Sequence, residues 1–317
     1  MNQHIKNIQE SHSVSSSDCE IKPRNIVLDW SEVPLNWIYN DRFSSNAMNA
    51  LSYFLVDAEF SMCRLCHESL PYIKDEKLID DLKNFAKQEA LHARAHEKHK
   101  KDFMQRYGID NIPINKPVRI LMERILSNKP FGYELSGKSK KAWLMCRAGV
   151  FAAAEHYTTG LAHFMFNSTE WELNGCDPVM SNLLHWHAAE EIEHRTVMFD
   201  LYQALGGRLS VRRFFMMGFV PTFVALIGIS TAQINELDQE SAKNQRKIWQ
   251  LGLWKAWRRG AILKNIPDVE WFVKHSFSFM SQYYNPVNEG STEQALEYLK
   301  LMQNVIELGH GKKPTFH

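Results

Sequence analysis

Apolar residues in this chain recur at steps of three and four over long stretches and rarely alternate, which is the period of a helix packed by one face. The spacing predicts helices over about 45–70, 75–106, 138–168, 177–205, 240–264 and 268–283, with a last one near 292–309. Their ends carry fitting chemistry. Ser139, Asp177 before Pro178, and Thr292 offer oxygens to the unpaired N–H groups of a helix start. Gly108 and the Gly206-Gly207 pair permit the left-handed residue that closes a helix. No hairpin signal or solenoid repeat interrupts the pattern, so the expected fold class is all-α.

One stretch conflicts with an ordinary apolar stripe. "HAAEEIEH", His187 to His194, holds five ionisable side chains in eight residues, flanked by leucine, tryptophan, methionine and phenylalanine. Steps of four and three link Met180, Leu184, His187, Glu191, His194, Met198, Leu201 and Leu205, so His187, Glu191 and His194 point where the leucines point. Glu190 lies on the flank of that stripe and Glu193 off it, so Glu193 is expected to play no part in a site. The same steps turn Glu89 and His92 inward in the second long helix, Glu155 in the third and Glu59 in the first. No lysine or arginine accompanies these carboxylates in their stripes; histidines do.

A buried carboxylate without a partner is very costly, so each must be paired, protonated or bound to metal. The arrangement is Glu, Glu-x-x-His, Glu, Glu-x-x-His on four helices, the ligand pattern of a ferritin-like four-helix bundle with a dinuclear metal centre. Four carboxylates also neutralise two divalent cations. The bland reading, surface glutamates and core histidines bonded to backbone, would have to produce this set by chance. His96, His99, His156 and His185 are each read as structural or supporting residues.

The stretches "NALSYFLVDAEF", "FAKQEALHARAHEKHK", "AAAEHYTTGLAH" and "WHAAEEIEHRTVMFDLY" closely resemble a bacterial family described as predicted metal-dependent hydrolases, in order, over about residues 25–280. Separately, the spacing His187-x-x-x-Glu191-x-x-His194 is similar to that of the p-aminobenzoate N-oxygenases, ferritin-like diiron enzymes with an additional histidine ligand. Carrying over that ligand logic puts Glu59 and His92 on one metal. It puts Glu155 and His194 on the other, joined by His187 unless that ring serves instead as a hydrogen-bond partner behind the ligands, with Glu89 and Glu191 bridging. Glu190 could replace Glu191 if a π-bulge overwound the helix there.

Such ligands suit iron first, with manganese or zinc as alternatives. A dry mid-helix site favours oxygen-dependent oxidation of a small apolar or lipid-like substrate. The chain has no nucleotide-binding glycine motif, so an external electron donor, a reductase partner, is expected. Two other readings stand beside this one: hydrolysis by a metal-activated water, and a non-catalytic metal-binding helical protein.

Composition narrows the picture further. A net charge of +1 gives no footprint for nucleic acid. Five cysteines in a chain that reads as cytoplasmic argue against a disulfide framework. Cys63 to His67, "CRLCH", matches a c-type haem attachment motif, but no export signal accompanies it, so free thiols are expected. Residues 1–25 read as a disordered tail, 26–210 as the metal-binding bundle, and 211–317 as additional C-terminal helices packed on it within one domain. Phe214 to Ala232 carries no charge across 19 residues. Pro221 and two glycines are expected to interrupt it. The expectation is a helix buried on all sides, with peripheral contact at the inner face of a membrane as the alternative. A homodimer completes the partner expectations.

Overall fold

The structure, a computed structural model, describes residues 20–238, 251–302 and 305–307. Among them, helices α1 (Arg42–Ser69), α2 (Glu76–Lys98), α4 (Gly137–Ser168) and α5 (Pro178–His194) carry the four predicted stripes. A short α3 (Asn115–Ile120) joins α2 to α4, and α6 (Val197–Ala204) follows α5. The helices α7 (Leu209–Leu237), α8 (Leu251–Ile262), α9 (Val269–Met280) and α10 (Thr292–Leu301) complete the helical set. α1 packs along α2, and α4 along α5 and α6. α7 lies across α1 and α4, α9 on α7, and α10 on α5. The all-α reading therefore holds, with one exception: β1 (Arg24–Ile26) pairs antiparallel with β2 (Val305–Glu307). Three residues per strand are too few for a periodic sequence signal.

Capping explains most helix starts. The carboxylates of Asp75, Asp177 and Asp268 accept from Leu78 N (3.1 Å), Val179 N (2.9 Å) and Trp271 N (2.6 Å). Two expected caps are displaced. α4 starts after Ser136, with Ser139 in its first turn bonded to the Ser136 carbonyl. Ser291, not Thr292, caps α10.

Several predicted boundaries move for physical reasons. The second helix ends at Lys98, passes through a π turn over His99–Phe103 and a 3-10 turn over Met104–Tyr107, and closes at Gly108 with φ 69°. The fourth breaks at Arg195–Thr196, where the Arg195 guanidinium reaches the carbonyls of Pro286 and Val287 and turns the chain into α6. The predicted helix over 240–264 begins among residues outside the described ones, and that near 292–309 ends at Leu301. α7 is one continuous helix through Pro221, which lies on its exposed side. It is not buried on all sides: a third of its most apolar window is buried, and Phe214 and Met217 are 72% and 69% exposed. By length and composition this helix could cross a membrane. Arg24, read as part of a disordered tail, is buried and fixed in β1. Cys63 and Cys66 are free thiols on α1, half-buried and buried.

Candidate metal centre

α1 supplies Glu59, α2 Glu89 and His92, α4 Glu155, and α5 His187, Glu191 and His194. None of the seven is more than 5% exposed. Ligand atoms of Glu89, His92, Glu191 and His194 all lie within 4.8 Å of one another, and so do those of Glu59, His92 and His187. Glu89 Oε1 is 3.3 Å from His92 Nδ1 and 3.1 Å from His194 Nε2, between the two imidazoles. Glu191 Oε1 faces both as well, at 3.7 Å from each. Glu155 Oε2 approaches His194 Nδ1 at 3.2 Å.

His187 departs from its expected place. Its Nε2 lies 2.7 Å from Glu191 Oε1 and 3.5 Å from Glu59 Oε1, and its ring is 4.4 Å from that of His92. It therefore joins Glu59 and His92, not Glu155 and His194. Seven residues of helix separate His187 from His194, about 10 Å along the axis, which places the two rings at opposite ends of the cluster.

No lysine or arginine pairs with Glu59, Glu89, Glu155 or Glu191 among the described residues. Both oxygens of Glu59, Glu89 and Glu155, Nδ1 of His92 and both nitrogens of His194 are buried without a hydrogen bond. Other buried polar atoms without a partner are scattered singly or in pairs, whereas this concentration of lone pairs at one point could hold a cation. Carboxylate oxygens and imidazole nitrogens at these separations fit divalent metal.

Without metal, the protons take the cation's place. Burial, then the negative charge of Glu89, pushes Glu59 well above the usual carboxylate range. Burial, then Glu191, raises Glu155. Burial also opposes charge on Glu89, but the imidazoles of His194 and His92 outweigh it and hold that carboxyl low. His92 and His194 are themselves raised: burial disfavours their charge, and the carboxylates around them prevail.

An outer layer steers these groups. His92 Nε2 bonds Glu190 Oε2 at 2.9 Å, leaving Nδ1 to face the cluster. Glu190 Oε1 accepts from Arg24 at 3.1 Å, and the same guanidinium grips Glu193 through two 2.8 Å bonds. Gln88 donates to Glu193 at 2.9 Å. The Thr158 hydroxyl donates to Glu191. Trp186 and Phe85 set their rings edge-on to His92 and His194.

Glu190 and Glu193 are thus not solvated, as the stripe implied, because α5 is buried on every side from Leu183 to His194. Leu183, Trp186, Ala189 and Ile192 on its other faces carried that signal. The π turns fall at 99–103 and 121–125, so no bulge brings Glu190 into the cluster; it bonds His92 from behind. His96 and His99 stand behind His187, both held neutral by burial, His99 at about 3. His156 lies elsewhere, bonded to Tyr284 and the His275 carbonyl, and His185 lines a separate cavity of about 430 Å³ that shares no residue with the cluster.

A helical protein whose core brings carboxylates and imidazoles from four helices to one point belongs to the metal-binding class. The sequence profile of a family described as "Predicted metal-dependent hydrolase" matches residues 22–290, and the chain belongs to that family. No curated protein and no solved structure matches it.

Proposed function

We propose that the seven residues hold two divalent metal ions, iron in the active protein, in a ferritin-like bundle, and that the protein oxidises a largely apolar small molecule with dioxygen. The observation that carries this reading is the set of buried carboxylate oxygens left without hydrogen bond or basic partner. Glu59, His92 and His187 would hold one ion and Glu155 and His194 the other, with Glu89 and Glu191 between them. Two irons so held would supply reversible one-electron chemistry toward a small oxidant. The chain's own residues exclude water, fix the imidazoles through Glu190 and Arg24, and keep the carboxylates ready for charge.

The surroundings support an apolar substrate. A cavity of about 230 Å³ lies between α1, α4 and α7, walled by Phe54, Val150, Phe215, Phe219 and Phe223. Phe54 and Val150 sit five residues before Glu59 and Glu155, about 7–8 Å along each helix. Electrons would come from an external reductase, and the exposed face of α7 would receive a lipid-like substrate. Hydrolysis is the second reading, and the family description favours it.

The test is metal content of the aerobically purified protein, followed by anaerobic reduction and readmission of oxygen under near-ultraviolet absorption. About two irons per chain, with absorption that bleaches and returns with oxygen, is the expected result. Two zinc or manganese ions with turnover of esters in the absence of oxygen would transfer the assignment to hydrolysis.

A further inference from the structure

A line of polar side chains runs through the apolar core from His187 to the C-terminal end of α7. His187 Nδ1 meets His96 Nε2 at 2.6 Å, and His96 Nδ1 meets Ser52 Oγ at 2.8 Å. Ser52 Oγ reaches His99 Nδ1 at 2.9 Å, and His99 Nε2 reaches Asn49 Oδ1 at 3.3 Å. Asn49 continues to Asn46 at 3.5 Å, and Asn46 to Asn235 at 2.8 Å and Asp238 at 3.5 Å. From His96 to Asp238 none of these residues is more than 5% exposed. Burying so many polar groups is expensive unless each is matched, and here each is.

The direction of the chain follows from its outer end. Asp238 is gripped by Arg42 at 2.7 and 2.8 Å and can only accept. Asn46 therefore turns its amide nitrogen toward Asp238 and Asn235, and its oxygen accepts from Asn49. The Asn49 oxygen then takes the Nε2–H of His99, whose Nδ1 lone pair accepts the Ser52 hydroxyl. Ser52 in turn accepts Nδ1–H of His96, whose Nε2 accepts Nδ1–H of His187. Every ring is a neutral imidazole with one donor and one acceptor. His187 is left with a lone pair on Nε2, aimed at Glu191 Oε1 and Glu59 Oε1. Three potential acceptors then face one another, a conflict that a proton on Glu59 or a bound cation would resolve.

We infer that this Asp238-anchored chain fixes the tautomer and orientation of His187, with His96 as the positioning residue that presents Nε2 to the metal beside Glu59. The inference rests on the dinuclear reading above. It assigns His96, Ser52 and His99 a task that neither metal ligation nor core packing requires.

The experiment uses zinc as the probe on the full chain. In ¹⁵N spectra of the zinc-loaded protein, His187 should carry its proton on Nδ1 and metal on Nε2; the opposite tautomer would overturn the inference without any variant. His96→Phe removes the acceptor and should weaken one of the two zinc sites by about tenfold or more in a chelator competition, while the other keeps its affinity. His96→Gln should restore binding, because its amide oxygen accepts from His187 and its amide nitrogen donates to Ser52. Ser52→Ala should shift the same site in the same direction by less. A folded His96→Phe protein with both sites at full affinity would overturn the inference, and so would His96→Gln failing as badly as His96→Phe. Failure of the dinuclear reading looks different: the unmodified protein would then bind zinc no better than Glu89→Gln.

Discussion

At the scale of single residues, the cluster separates side chains that would face a cation from those that would aim them. Glu89 and Glu191 each lie between both imidazoles, so if the cluster holds two ions as proposed, replacing either by alanine should abolish stoichiometric binding of both, measured by elemental analysis. Glu155→Ala should cost one. Glu193 touches neither imidazole, yet its loss should not be silent as the helical phase suggested. Arg24 would lose both of its bidentate bonds while remaining buried. Arg24 keeps its 3.1 Å bond to Glu190, so the cost falls below the roughly 3–5 kcal/mol of leaving a buried charge with no partner. Glu193→Ala should therefore lower the melting temperature, and Glu193→Gln, which keeps an acceptor for Arg24, should lower it less. Calorimetry on the two variants separates these outcomes; equal loss in both would show that charge, not the bond, holds Arg24.

At the scale of elements, the stripe residues were legible because a three-four period survives in one helix whatever packs against it. Glu59, Glu89, His92, Glu155, His187, Glu191 and His194 could all be read this way. The grouping of His187 with Glu59 was not, since it depends on which helix end faces which, a tertiary property. Arg24 was hidden for the same reason: three residues of strand held by a partner some 280 positions away leave no local period. Close approach of α4 to its neighbours is another tertiary feature, and its glycines report it. At Gly160 a Cβ would strike the ring of His275, which is stacked between His156 and Trp271 and cannot swing aside. Gly160→Ala should therefore destabilise by about 1–3 kcal/mol, despite alanine's better helix propensity. Gly218 in α7 has nothing within 4 Å of such a Cβ, so Gly218→Ala should stabilise by about 0.5–1 kcal/mol. Melting temperatures moving in the same direction would contradict the close packing of α4 on α9.

For the whole molecule, the cluster ties folding to both protons and metal. Glu59 and Glu155 have carboxyl pKa values raised above the unfolded range, Glu155 to about 8. A carboxyl of this kind favours the folded state while protonated, and that contribution disappears as pH climbs from its unfolded value of about 4.3 to the folded one. His92 and His194 are raised too, so their contribution is complete below their unfolded value of about 6.5 and also fades as pH rises. Glu89 and Glu191 are lowered and act with the opposite sign, but only on the acid side of about pH 4.3. His187, His96 and His99 are lowered and oppose this trend, but only below their unfolded value of about 6.5, so above it the raised groups prevail and the metal-free protein should lose stability. Metal reverses the slope. A metal bound by His92 and His194 would displace their protons, so its affinity should rise with pH and its binding should release acid. Calorimetry with chelator, at about pH 7 and about pH 8.5, should show a falling melting temperature; the zinc-loaded protein should show none of that fall. A metal-free melting temperature that rose over this interval would mean that the glutamates and histidines of the core are not sharing protons across the site.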